Sequence, residues 1–62
     1  MYEMFDAIFE EVMEMLGITA WYELFDADEF EIVEERITTE LGYDCWECEE
    51  FIAWNREMAE DL

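Results

Sequence analysis

Cys45-Trp46-Glu47-Cys48 sets two thiols three residues apart, a spacing shared by dithiol redox motifs and by one half of a tetrahedral zinc site. Redox work needs a thiolate, which nearby positive charge or a helix N-terminus stabilises. A helix starting beside Asp44 would help, but Asp44, Glu47, Glu49 and Glu50 oppose ionisation, and no βαβ pattern surrounds the pair. A closed zinc site takes four ligands, whereas the chain has two cysteines and no histidine, so only a homodimer pooling its thiols would complete one. The preferred reading is two small packed thiols, with no metal and no cofactor.

The acidic residues offer further candidate patterns. Asp26-Ala27-Asp28-Glu29-Phe30-Glu31 begins like a calcium loop. Its sixth position is Glu31 where the turn needs Gly, and its twelfth is Ile37 where a bidentate Glu belongs. Paired carboxylates do acid and base work only where different surroundings separate their pKa values. Without histidine there is no nucleophile–base pair, and no glycine-rich phosphate loop is present. The sequence therefore predicts a binding protein and not an enzyme.

The elements that would position these residues are helical. Leu16-Gly17-Ile18 and Leu41-Gly42-Tyr43 both read as helix stops, with glycine in a left-handed conformation and an apolar residue packing back. Before the first stop, Tyr2, Phe5, Phe9, Val12 and Leu16 recur every three or four residues, widened by Ile8 and Met15. Before the second, Phe30, Val33, Ile37 and Leu41 do the same, with Asp26 and Glu29 spaced as a capping box. Thr19 is placed to cap a short turn through Trp21, Tyr22, Leu24 and Phe25. Asp44 and Glu47 suggest a second capping box, followed by Cys48, Phe51, Ile52, Asn55, Met58, Ala59 and Leu62 along one side. The competing assignment makes residues 30–38 a strand, on Phe30, Ile32, Val33 and Thr38-Thr39; stop signals and spacing favour helix. The expected fold is one all-α domain over residues 1–62, a small bundle of three to four short helices. Residues from Phe5 to Trp21 also align with those from Phe30 to Trp46 at an offset of 25, which records either two copies of a helix, glycine turn and Trp-bearing helix or, the preferred reading, two amphipathic helices with similar stops.

The charge is the least ordinary property. Asp and Glu number 20 against Arg36 and Arg56, for a net charge of −18, yet 55% of the residues are hydrophobic and 18% aromatic. That apolar content predicts folding, where an acidic tail would remain disordered. A chain of this length should form a body about 27 Å across, and duplex DNA of that length carries about 16 phosphate charges. Solubility alone needs a net charge of only about 2 to 8. Self-repulsion on this scale predicts that salt, or moderate acidification from neutrality, raises the melting temperature.

In size, acidity, aromatic content and lack of histidine the chain resembles the DNA-mimic inhibitors encoded by bacteriophages, including anti-restriction and anti-CRISPR proteins. The resemblance is one of composition and length, with no motif matched residue by residue, so no functional residue is carried over. It implies a partner that is a basic nucleic-acid-binding protein, such as a nuclease or CRISPR effector, and no direct nucleic acid binding. Carboxylates would replace phosphates at Asp26, Asp28, Glu29, Glu31, Glu34, Glu35, Glu47, Glu49 and Glu50. Trp54, assigned to the polar side of the last helix, is the expected aromatic anchor, while Trp21 and Trp46 are assigned to the core. The alternative is a structural role as a homodimer or an assembly subunit. No apolar run approaches a membrane span, and no cationic leader precedes the first helix, so a cytoplasmic location is expected.

Overall fold

The computed structural model describes residues 2–62, folded as four α-helices with no strand among them. Helix α1 spans Glu3–Leu16, α2 Trp21–Phe25, α3 Phe30–Leu41 and α4 Glu49–Glu60, with a 3₁₀ turn at Cys45–Glu47. The small all-α bundle is as expected, and residues 30–38 lie within the α3 segment and its last turn, not in a strand.

Both glycine stops form, each in a different way. Gly17 has φ of 72°, its N–H donates to Glu14 O, and the Ile18 N–H reaches back to Met13 O at 2.9 Å. That pair of bonds is the Schellman pattern, which satisfies two carbonyls the helix end would otherwise leave free. Gly42, at φ of 81°, makes a single bond from its N–H to Thr38 O. Ile18 then packs against the core, as the stop grammar requires.

The helix starts differ from expectation. Asp26 and Glu29 form no capping box: α2 runs to Phe25, Asp26 closes it, and α3 has no side-chain cap. The N–H groups of Phe30, Glu31 and Ile32 donate to the carbonyls of Ala27, Asp28 and Glu29, so backbone bonds of 3₁₀ type close the first turn of α3, which begins at Phe30, too late for Asp26 to be its N-cap. Thr19 does not cap α2 either; extended Ala20 precedes it without a side-chain bond. Asp44 does cap, but it caps the 3₁₀ turn, its Oδ1 accepting from the Trp46 N–H at 3.0 Å, while α4 begins only at Glu49.

Phe5, Ile8, Phe9 and Val12 of α1, Leu24 of α2, Phe30, Val33 and Ile37 of α3, and Phe51 and Trp54 of α4 form the core, with Cys45 and Cys48 closing one end. Met15 and Leu16, expected on the apolar stripe of α1, are exposed. Ring contacts knit the core: Phe5, Phe9, Phe30 and Phe51 each lie with centroids 5.6–6.5 Å from Trp54. Offset and edge-on contacts at such distances each add about 0.5–1.5 kcal/mol beyond area burial.

Candidate protein-binding surface

The backbone of α3 turns through 100° per residue, which puts Glu31, Glu34 and Glu35 on one side, opposite buried Val33 and Ile37. The 3₁₀ turn docks beside them. Thr38 Oγ1 accepts from the Cys45 N–H at 3.1 Å, and this bond fixes the turn against the last half of α3. The result is a shallow open groove lined by Glu31, Glu34, Glu35, Thr38, Thr39, Asp44, Cys45 and Trp46.

Trp46 is the aromatic residue of this groove. It is 44% exposed, yet it is held at two points: its indole N–H donates to Glu34 Oε2, and its ring meets Phe51 edge-on at 4.9 Å. A large ring fixed in place and open to solvent loses little freedom on binding, the property that favours an anchor.

The expected roles of two tryptophans are therefore exchanged. Trp54, expected at the interface, is only 2% exposed and stands at the centre of the ring cluster, so it cannot contact a partner. Trp46, expected in the core, is on the surface. The 3₁₀ turn and the extended Cys48 (φ −92°, ψ 115°) take Trp46 out of the last helix. Within α4 the buried side centres on Trp54 and not on Asn55, so Phe51, Trp54 and Met58 form the inward stripe, and Ala59 and Leu62 are exposed. Trp21 is partly buried, packed against the core beside Phe25.

Of the other expected contact residues, Glu31, Glu34 and Glu35 are brought together in the groove. Asp26, Asp28 and Glu29 are exposed on the α2–α3 connection, Glu47 on the 3₁₀ turn, and Glu49 and Glu50 in the first turn of α4; none of the six lines the groove. Glu49 and Glu50 sit at a helix N-terminus, where the macrodipole favours negative charge. Thr38, Thr39, Asp44, Cys45 and Trp46 are the groove residues not expected there, Asp44 and Trp46 being the charged and aromatic members. Their signal was available in the acidic neighbours of Trp46, an unusual setting for a core ring.

Almost nothing internal offsets this charge. Among the described residues the single ion pair joins Arg36 to Glu11 at 3.7 Å, between half-exposed side chains, where such a pair is worth about 0–1 kcal/mol.

Cys45 and Cys48 are free and buried. Burial raises the Cys45 thiol above its ordinary value, aided by the charges of Glu34 and Asp44 and opposed by its hydrogen bond with Thr38. A thiol held neutral is a poor nucleophile and a poor metal ligand. Among the described residues no three Cys, Asp or Glu groups converge on a metal-holding position, and no helix is long and apolar enough to cross a membrane.

No protein family, curated protein or solved structure matches the chain.

Proposed function

We propose that the protein is an acidic inhibitor that occupies the basic nucleic-acid-binding surface of a partner protein, its carboxylates taking the place of phosphates. A phage-encoded anti-CRISPR or anti-restriction protein, acting in the host cytoplasm on a CRISPR effector or nuclease, is the specific form of this reading. The observation that carries it is charge density. A net charge of −18 is spread over a body of 27 × 24 × 21 Å, and the longest of these dimensions of duplex DNA holds about 16 phosphate charges. Neutralising such a charge load by Lys and Arg of a partner relieves the self-repulsion that the isolated chain must bear.

The α3 groove is the proposed centre of contact. Glu31, Glu34, Glu35 and Asp44 supply acceptors for guanidinium and ammonium groups, and Trp46 supplies the apolar anchor. Peripheral carboxylates on the α2–α3 connection and the start of α4 steer approach and speed association more than they hold the complex.

The test is retention of a partner on the immobilised protein followed by competition. A nucleic-acid-binding protein held in stoichiometric amount, displaced by duplex DNA or RNA, and lost from the Glu31→Gln/Glu35→Gln variant supports the reading. A broad set of basic proteins eluting together at low salt, indifferent to that variant, overturns it.

A further inference from the structure

A second cleft lies between α1, the entry to α2 and α4, and it shares no lining residue with the α3 groove. Its volume is about 400 Å³. Phe9, Met13, Trp21 and Met58 give it an apolar, sulfur-rich and aromatic floor. Asp6, Glu10 and Asp61 stand around that floor, and no basic residue of the chain lines it. Arg36 lines a different cleft, between α1 and α3, and Arg56 lines neither.

An apolar floor under three carboxylates selects against most occupants. An anion is repelled, and a purely apolar group would strip water from the carboxylates and give nothing back. A cation on an apolar stem satisfies both parts, because long basic side chains lay their methylenes along apolar surface and keep the charged head at its edge. Arginine fits better than lysine. Its planar guanidinium stacks on an indole face while its five N–H groups remain free for carboxylates, whereas an ammonium is a compact, strongly hydrated point charge.

The rim is partly set in advance. Asp6 Oδ1 already accepts from the buried Trp54 indole at 2.9 Å, which orients the carboxylate while its second oxygen stays available. Glu10 follows Asp6 by one helical turn, so the two acids lie on the same side of α1. From this charge complementarity we infer that the α1–α2–α4 cleft is a receptor for a single arginine side chain of a basic polypeptide. The inference goes beyond phosphate mimicry by the α3 face and does not depend on it.

The experiment titrates the full-length, isotope-labelled protein with acetyl-Gly-Arg-Gly-amide, following indole and methionine methyl resonances by NMR. Parallel titrations use the lysine tripeptide and the citrulline tripeptide, a neutral near-isostere of arginine. The expected result is saturable movement of the Trp21 indole and the Met13 and Met58 methyls in the millimolar range. Lysine should bind several-fold more weakly, and citrulline should give no saturation. Glu10→Gln/Asp61→Asn, two exposed positions whose change leaves the core intact, should weaken the arginine peptide about fivefold to tenfold, equivalent to about 1–1.4 kcal/mol. Equal response to citrulline, indifference to the double variant, or movement concentrated at the Trp46 indole of the α3 groove overturns the inference. Because the assay contains no nucleic-acid-binding protein, its failure leaves the phosphate-mimic reading to its own test.

Discussion

The buried indole of Trp54 donates its N–H to Asp6 Oδ1 at 2.9 Å, tying α4 to α1 across 48 residues of chain. Without that acceptor the N–H would be a polar group buried among aromatic rings. Replacing Asp6 with Ala should therefore lower stability by about 1–3 kcal/mol, while Asp6→Asn, which keeps an acceptor and removes the same charge, should lose clearly less. Urea denaturation of both variants decides it, and equal stability of the two would show that the bond contributes nothing.

The exchange of roles between Trp54 and Trp46 has opposite consequences on mutation. Trp54→Ala removes the ring on which Phe5, Phe9, Phe30 and Phe51 converge and should lower stability by about 3–5 kcal/mol, enough to unfold a domain this small. Trp46→Ala gives up one edge-on contact and one surface hydrogen bond, about 1–2 kcal/mol, and should remain folded while losing retention of a partner. Thermal melts by circular dichroism separate the two.

Glycine at the helix stops is a backbone requirement. A Cβ built on Gly17 or Gly42 meets no atom within 4 Å, so any loss on substitution comes from the left-handed conformation itself. Gly17→Ala and Gly42→Ala should each lower stability by about 1–2 kcal/mol, and the corresponding Asn variants by less. Full stability of the alanine variants would mean that the helix ends had rearranged.

Charge sets the response to salt. Glu31 and Glu35 are one turn apart with no basic residue between their carboxylates in the groove, and like pairs at that spacing cost a few tenths of a kcal/mol each. Raising salt from low to moderate concentration should increase the melting temperature, and Glu31→Gln/Glu35→Gln should increase it at low salt and flatten the salt dependence. A salt-independent melting temperature would contradict the account of self-repulsion.

The Cys45 thiol gives the pH dependence its sign. Burial raises its folded-state value above that of the unfolded chain, so its contribution to stability is complete below the ordinary thiol range and is lost as pH rises through the elevated value. Tyr43 is raised in the same direction, chiefly through its interaction with Cys48, with the charges of Glu50 and Glu47 adding to it. The protein should destabilise in alkali, and Cys45→Ala should reduce that slope. Alkylation of native protein near neutrality, read by mass spectrometry, should leave Cys45 unmodified.

Helix existence, both glycine stops and the buried stripes of α1 and α3 were legible because each is written in residues close together in the chain. The start of α4 was not. A capping box at Asp44 and Glu47 describes a helix beginning there, and nothing nearby reveals that Thr38, a residue of α3, captures the Cys45 N–H and holds the turn in 3₁₀ form. That contact takes Trp46 out of the last helix and onto the surface, while Trp54 is buried because α4 turns the side shared by Phe51, Trp54 and Met58 inward. Of the candidate site, the acidic side of α3 was readable from helical spacing. The convergence of Asp44 and Trp46 upon it was not, since it depends on how the chain folds back after Gly42.

The ring cluster also governs how the molecule comes apart. Its members are drawn from α1, α3 and α4, so no two of these helices enclose it without the third. Undocking any one wets the rings supplied by the other two, which leaves partly opened forms little better than the unfolded chain. Unfolding should therefore be cooperative throughout, with the slowest-exchanging amides of all three helices sharing one protection factor.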